Sequence, residues 1–567
     1  MQSKKLSGRR TPLLTAFALL GASFLGAADD TAKQVPRQPP SEEIARLEAA
    51  LAAQQKQLEI LQRTVERQQK LLENALVSAK PEPAPPASLG AIASLTPFIP
   101  AAPAAMPAVA APQKAPAPAT KEKPPGTPCD APPDGNAVPA YLRLGNTCIV
   151  PVGFMDLTAV WRDKAAGSSL GTNFGSVPYN NVAAGKNSEF RFTPQNSRLG
   201  VRIDGDWKGT HFIGYNEFDF LGTSGGNNLG VTNGAFVPRL RLFWIDVRKG
   251  QWAFLGGQSW SMLTPSRKGI AALPGDLFYS QVIDVNYMAG LTWTRQPGMR
   301  VLYHPSNALT MGISIENPNQ YIGGSAGGSS VVLPTALATL AGSQLDNSSN
   351  VLATPNLHPD IIAKVAFDPS SRFHGEIAGI ERTFKIWDPL NNKYSTKAGG
   401  GVSVNGNLEL VKNFRVFTNN YWSDGGGRYL FGQVPDLVVH ADGSISALHA
   451  GGTVDGIEAT VKNWLVYAYY GGIYLGRNVA LDVNGSKVGY GYAGSPNSQN
   501  RTIQEFTFGF NQTIWKSPRY GAINAMGQYE YLTRDPWSVA TGAPKSTHDN
   551  TLYFNLRYTL PGAIPAF

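Results

Sequence analysis

The side chains with most capacity for chemistry are arginines and carboxylates set two or four residues apart. Arg198, Arg202 and Asp204 form one group, Glu217 and Asp219 a second, Arg239 and Arg241 a third. In an extended strand successive side chains alternate, so even spacing puts each group on a single face. Leu199, Val201 and Ile203 then share the face opposite the first group, Phe218 and Phe220 that of the second, and Leu240 and Leu242 that of the third. A guanidinium keeps its charge at any working pH and grips a carboxylate through two parallel hydrogen bonds. Four arginines on neighbouring strands make a basic ladder, and in a narrow, low-dielectric mouth such a ladder concentrates anions. The competing reading is structural: the same residues as Arg–Asp/Glu pairs that brace a wall without net selectivity.

Other chemistry finds little support. Of the seven histidines, His304, His358 and His374 lie beside turns or strand ends, His440, His449 and His548 in or near long loops, and His211 begins a strand. None stands at a metal-ligand spacing or in an evident triad. Gly225-Gly226 and Gly425-Gly426-Gly427 lack the strand–helix context of a phosphate loop. No enzyme, cofactor or metal site is expected. Net charge is +9, but the basic residues are not clustered, so nucleic acid is a poor partner. Cys129 and Cys148 are nineteen apart, in Pro-rich loop sequence. In an exported protein two cysteines most simply form one disulfide.

The elements that would position these residues follow from composition. Only 16% of the 567 residues are charged, against about 25% in ordinary soluble domains. There are 60 glycines, and the 11 Trp, 21 Tyr and 25 Phe are abundant. Beyond the N-terminus no run is apolar for the ~20 residues that a membrane-crossing helix needs. Residues 1–28 read as a secretory signal peptide: Lys4, Lys5, Arg9 and Arg10 precede an apolar Leu13 to Leu25, and Gly26-Ala27-Ala28 offers small residues for cleavage. Its removal leaves a net charge of about +5. After a short linker at 29–40, residues 41–80 carry a heptad pattern. Ile44, Leu51, Leu58, Val65 and Leu72 recur every seven residues, with Leu47, Gln54, Leu61, Gln68 and Ala75 in the alternate seam. A single amphipathic helix cannot bury its own seam, so a coiled coil with other copies is favoured over a lone surface helix. Residues 81–128 are rich in Pro and Ala and form a periplasmic spacer, which could reach on the order of 150 Å if fully extended.

From 129 to 567 the expectation is a transmembrane β-barrel. Leu552, Phe554, Leu556, Tyr558 and Leu560 alternate with Thr551, Tyr553, Asn555, Arg557 and Thr559. Sixteen such runs are predicted, at 149–162, 190–204, 208–220, 236–249, 251–260, 291–304, 308–318, 359–368, 372–387, 399–412, 414–424, 447–463, 464–476, 501–515, 520–534 and 550–561. Their connections alternate short and long, the long ones at 163–189, 221–235, 261–290, 319–358, 388–398, 425–446, 477–500 and 535–549. Short turns at one rim and long loops at the other are how bacterial outer-membrane barrels are built. An even strand count leaves both barrel ends on the periplasmic side. Trp207, Trp244, Trp252, Trp293, Trp464, Trp515 and Tyr520 fit interfacial girdles, and Phe567 is a terminal aromatic of the kind used in barrel assembly.

With these elements in place, the sequence resembles the DcaP-like trimeric outer-membrane porins. The local matches are Ser197-Arg198-Leu199-Gly200, Arg239-Leu240-Arg241 and Gly257-Gln258-Ser259-Trp260-Ser261 before a long third loop. The Cys129/Cys148 pair and the long spacer depart from that pattern. The resemblance implies a homotrimer in outer-membrane lipid and passage of small anionic solutes such as dicarboxylates. In sixteen-stranded porins the third loop folds inward; here it carries Arg267, Lys268, Asp276 and Asp284. The pore path is therefore assigned to Arg198, Arg202, Glu217, Asp219, Arg239, Arg241, Arg267, Lys268 and Asp284. The favoured function is passive diffusion of small hydrophilic solutes with a modest anion preference. Two others compete: an outer-membrane tether whose N-terminal segment binds peptidoglycan, and a barrel hydrolase acting on lipid. Sixteen strands favour an open pore over a small filled barrel.

Overall fold

The computed structural model describes residues 129–130, 140–167, 170–222, 236–273, 281–324, 328, 330–347 and 355–561. The signal peptide, linker, heptad segment, Pro/Ala spacer, Asp276 and Phe567 lie outside the described residues.

Sixteen antiparallel strands close into a barrel. They are β1 (Thr147–Arg162), β2 in two pieces (Glu189–Thr193 and Arg198–Trp207), β3 (Thr210–Gly222), β4 (Val237–Lys249), β5 (Trp252–Trp260), β6 (Arg295–Ser306), β7 (Leu309–Glu316) and β8 (Asp360–Ser370). There follow β9 (Phe373–Asp388), β10 (Lys393–Val411), β11 (Phe414–Asp424), β12 (His449–Val461), β13 (Trp464–Leu475), β14 (Asn500–Ser517), β15 (Gly521–Pro536) and β16 (Thr547–Thr559). The ring closes where β16 pairs with β1, from Phe154 opposite Thr559 to Arg162 opposite Thr551. Closure leaves no strand edge, and so no row of unpaired backbone groups to face lipid.

Side-chain alternation explains the wall. On β16, Leu552, Phe554 and Leu556 are exposed on the outer surface, whereas Thr551, Tyr553 and Asn555 are buried inside. Seven turns of two or three residues join strands at one rim. Lys208 and Gly209 both have positive φ, the backbone that a two-residue hairpin requires. The opposite rim carries the links L1 (163–188), L2 (223–236), L3 (261–294), L4 (317–359), L5 (389–392), L6 (425–448), L7 (476–499) and L8 (537–546). Trp207, Trp252, Trp464, Trp515 and Tyr520 are exposed near the short-turn rim. Cys129 and Cys148 are joined, with Cα atoms 5.7 Å apart, just where β1 begins.

Four local features differ from the sequence expectation. The link at 388–398 is a four-residue turn, because β9 and β10 continue as one paired ribbon up to Asp388 opposite Lys393. The second strand breaks at residues 194–197, where Pro194 cannot donate to a ladder; Ser197 Oγ then accepts the Asp156 N–H at 3.0 Å. Trp244 and Trp293 are not girdle residues. Both are buried inside, Trp244 stacked on Tyr215 and Trp293 on Phe431. Trp293 lies within L3, and Trp244 turns inward for the same reason as Leu242: a bulge in β4. Glu217 pairs with Leu242 and Phe218 with Leu240, leaving Arg241 as the extra residue. The bulge reverses parity, so Leu242 points inward beside Arg241 while Phe243 and Ile245 face outward.

The long loops carry their own apolar core. Phe174 and Val177 of L1, Leu337 and Leu340 of L4, Leu430 and Val434 of L6, and Val488 and Tyr490 of L7 are fully or nearly fully buried together. L6 and L7 each hold a small hairpin, Leu437–Val439 with Ile445–Ala447 and Asn478–Leu481 with Lys487–Tyr490.

Candidate pore constriction

L3 is the element that narrows the lumen, and its course is fixed by hydrogen bonds to the inner wall. In its first half the Ser266 N–H reaches the Glu376 carboxylate of β9 at 3.3 Å, and the Gly269 N–H donates to Asp368 of β8 at 3.0 Å. Arg267 forms two bonds to Glu458 of β12, at 3.1 and 2.7 Å. In its second half Ile283 N–H donates to Gln528 of β15 at 2.5 Å, and Ala289 N–H to Glu505 of β14 at 2.7 Å. Asp284 accepts from the Thr172 N–H of L1 at 2.8 Å and from the Tyr553 hydroxyl of β16 at 2.9 Å. Buried polar groups need such partners, so each of these wall carboxylates specifies the path of the loop. Tyr287 then reaches across to the β2–β4 wall.

That wall holds the arginine–carboxylate group. The β2, β3 and β4 ladders bring Arg198 opposite Asp219, and Asp219 opposite Arg239. Arg241 sits between two acids: Nε donates to Glu217 at 2.7 Å and Nη1 to Asp219 at 2.8 Å. Arg239 grips Asp219 through Nε and Nη2, at 3.0 and 2.7 Å. Arg198 is 3.9 Å from Glu217 and donates to the Tyr287 hydroxyl at 3.3 Å; Arg241 donates to the same hydroxyl at 3.4 Å. Tyr287 thus bridges L3 to two guanidiniums. The outer oxygen of Glu217 is satisfied by the Tyr215 hydroxyl at 3.2 Å.

Two further arginines join this group: alternation put Arg557 on the polar face of its strand without linking it to the others, and it gave no signal for Arg295. Arg557 of β16 donates to Asp156 at 2.9 Å and lies 3.8 Å from the centre of the Phe154 ring, which Arg198 also approaches at 5.0 Å. Arg295, the first residue of β6, lies 5.6 Å from the Trp260 ring, with Arg241 at 5.8 Å from the same ring. Arg295 feels the charges of Arg239, Arg241 and Asp219, yet among the described residues no carboxylate lies within ion-pair distance of it. Five guanidiniums (Arg198, Arg239, Arg241, Arg295, Arg557) therefore face three carboxylates (Asp156, Glu217, Asp219), an excess of two positive charges.

The remaining residues of the sequence assignment lie elsewhere. Arg202 forms a bidentate pair with Asp204 at 2.7 and 2.8 Å, nearer the short-turn rim, and His211 lies 3.5 Å from the same carboxylate. Arg267 is held by Glu458 on the far wall, and Lys268 is exposed beside it. Asp284 anchors L3 to L1 and β16 and does not meet the arginine group. Tyr287 was missed as a site residue because L3 carries no periodicity, and Trp260, the last residue of β5, was noted only as part of the Gly257–Ser261 match and not assigned to the pore. A tryptophan closing the strand before a long loop and a tyrosine within that loop were the available signal.

No protein-family model matches the chain, and no curated protein sequence matches it. Solved structures do. The outer-membrane channel DcaP of Acinetobacter baumannii aligns with a TM-score of 0.54 at 18% identity, over 74% of this chain and 100% of that one. OmpF of Salmonella typhi, solved with daunomycin, aligns at 0.41 and 10% identity, over 74% and 99%. OmpT of Vibrio cholerae aligns at 0.37 and 9% identity, over 74% and 99%. The described residues between 140 and 561 thus form a sixteen-stranded barrel with a fold similar to that of the DcaP outer-membrane channel, and in this chain the third loop runs inward against an arginine-rich wall.

Proposed function

We propose that this protein is an outer-membrane porin through which small hydrophilic solutes diffuse passively, with a modest preference for anions such as dicarboxylates. The observation that carries the reading is the excess of guanidinium over carboxylate where L3 approaches β2–β4. Guanidinium pairs carboxylates in bidentate geometry, so a dicarboxylate passing here can exchange water for arginine contacts and leave again. The preference is modest because Glu217, Asp219 and Asp156 cancel most of the arginine field. Two features of the sequence support copies assembling as a homotrimer with a periplasmic stalk: the heptads at 41–80 and the resemblance to a trimeric porin family.

Liposome swelling tests the transport claim. Proteoliposomes of the purified chain should admit a small dicarboxylate faster than an uncharged sugar of the same size, and both faster than a tetrasaccharide. Equal exclusion of all three would sink the porin reading. Faster entry of a diamine than of the dicarboxylate would sink the anion preference alone.

A further inference from the structure

At the long-loop rim, L1, L4 and L7 enclose a cavity of about 530 Å³ against the end of β15. None of the constriction residues lines it. Arg534 of β15 is the one charged residue among the described residues that do, and it is only 5% exposed. Its Nε donates to the Val177 carbonyl at 2.8 Å. Its Nη1 reaches the Tyr179 hydroxyl at 3.3 Å, the Asn497 carbonyl at 3.2 Å and Asn500 Oδ1 at 3.0 Å. The guanidinium also lies 4.3 Å from the centre of the Tyr179 ring.

All of these partners are neutral, and Nη2 makes no hydrogen bond among the described residues. No carboxylate among the described residues comes within ion-pair distance of Arg534. Its neighbour Asp535 is turned to Thr502, whose hydroxyl donates to it at 3.0 Å. By contrast Arg162, Arg241 and Arg382, as deeply buried, each hold a carboxylate at 2.7–3.0 Å. Burying a guanidinium is costly unless a counter-charge or full hydrogen bonding offsets it. Neutral oxygens meet one side of Arg534; the remaining nitrogen and the net charge are left for a partner that enters the cavity.

The walls are held in shape before any ligand arrives. Asn500 Nδ2 donates to the Gly175 carbonyl of L1 at 3.0 Å, Gln499 Nε2 to the Ser330 carbonyl of L4 at 3.2 Å, and Val332 of L4 pairs with Gly489 of L7. A preformed site loses little freedom on binding. The lining then sets the ligand class. A single guanidinium matches one carboxylate, Ser176 and Ser330 bring hydroxyls, and Val332 and Pro496 bring apolar surface.

We propose that this cavity binds a small monocarboxylate with a short apolar tail, at a site separate from the constriction. The inference goes beyond the porin reading, because it concerns binding at the long-loop rim and not passage through the lumen. Isothermal titration of the full-length protein in detergent with butanoate tests it. Wild type should bind one butanoate per chain saturably, and the uncharged butanamide should not compete. Arg534→Gln should weaken binding at least tenfold. Ser176→Trp fills the cavity from an exposed L1 position, leaves the guanidinium in place, and should weaken binding as much. Lys186→Gln removes a charge from an exposed part of L1 away from the cavity and should bind as wild type does. Absence of saturable binding to folded wild type overturns the inference and leaves the porin reading intact. Unchanged affinity in a folded Arg534→Gln or Ser176→Trp variant, equal weakening in Lys186→Gln, or competition by butanamide overturns it as well.

Discussion

Replacing Arg295 with Gln should weaken anion preference more cleanly than any other single change. Arg295 contributes positive charge without a carboxylate of its own, so its loss leaves no buried anion unpaired. The excess at the constriction falls from two charges to one. A unit charge about 6 Å from an ion in water is worth roughly 0.7 kcal/mol, acting with opposite sign on anion and cation. The anion-to-cation permeability ratio should therefore fall by up to roughly tenfold at low salt. At 1 M salt the Debye length is ~3 Å, and the same change should shrink to less than about twofold. The assay is the reversal potential in a KCl gradient, repeated at low and high ionic strength. The double variant Arg202→Gln/Asp204→Asn is the control, because it removes an ion pair away from the constriction and leaves the formal Arg/Asp charge sum unchanged. A wild-type reversal potential in Arg295→Gln, or an equal shift in the double variant, would refute the reasoning.

Further outcomes follow from the same contacts. Replacing Arg198, Arg202, Arg239 and Arg241 together with Gln leaves Asp204, Glu217 and Asp219 without their guanidiniums, and the reversal potential should cross to cation preference. Asp284→Ala strips the acceptor from the Thr172 and Asn286 N–H groups, a loss of roughly 1–3 kcal/mol per orphaned group, so L3 should loosen and single-channel current noise should rise. Cys129→Ser/Cys148→Ser should lower stability by at most about 3 kcal/mol, and intact mass without reduction should show the wild-type pair bonded. Gly153→Ala should fail to assemble: Gly153 has φ +109° and an added Cβ would meet the Arg198 carbonyl oxygen, so no heat-modifiable barrel band should form.

Much of the wall was legible because lipid on one side and polar interior on the other impose a strict two-residue period. The run 551–560 could be read directly, and all sixteen strands lie where alternation placed them. Period-based reading fails wherever one residue is inserted. The bulge at Arg241 carried Leu242 and Trp244 inward, although each looked like an outward residue from its neighbours. The turn at 389–392 was hidden because β9 and β10 extend as a ribbon beyond the apolar band, where alternation loses its cause. At the constriction, pairing partners on adjacent strands could be inferred from parity, as for Glu217 and Arg241. Contacts made by L3 could not, since Arg198 meets Tyr287 across 89 residues with no pattern between them. The shared core of L1, L4, L6 and L7 was equally invisible, because loop apolar residues carry no period to announce burial.

Single-channel recording of the purified full-length protein in a planar bilayer under a KCl gradient tests the central claim most directly. The account predicts stable, stepwise conductance with a reversal potential displaced modestly toward the chloride equilibrium potential, and a displacement that fades as salt is raised. Absence of conductance from folded barrels, or a reversal potential on the potassium side, would contradict it.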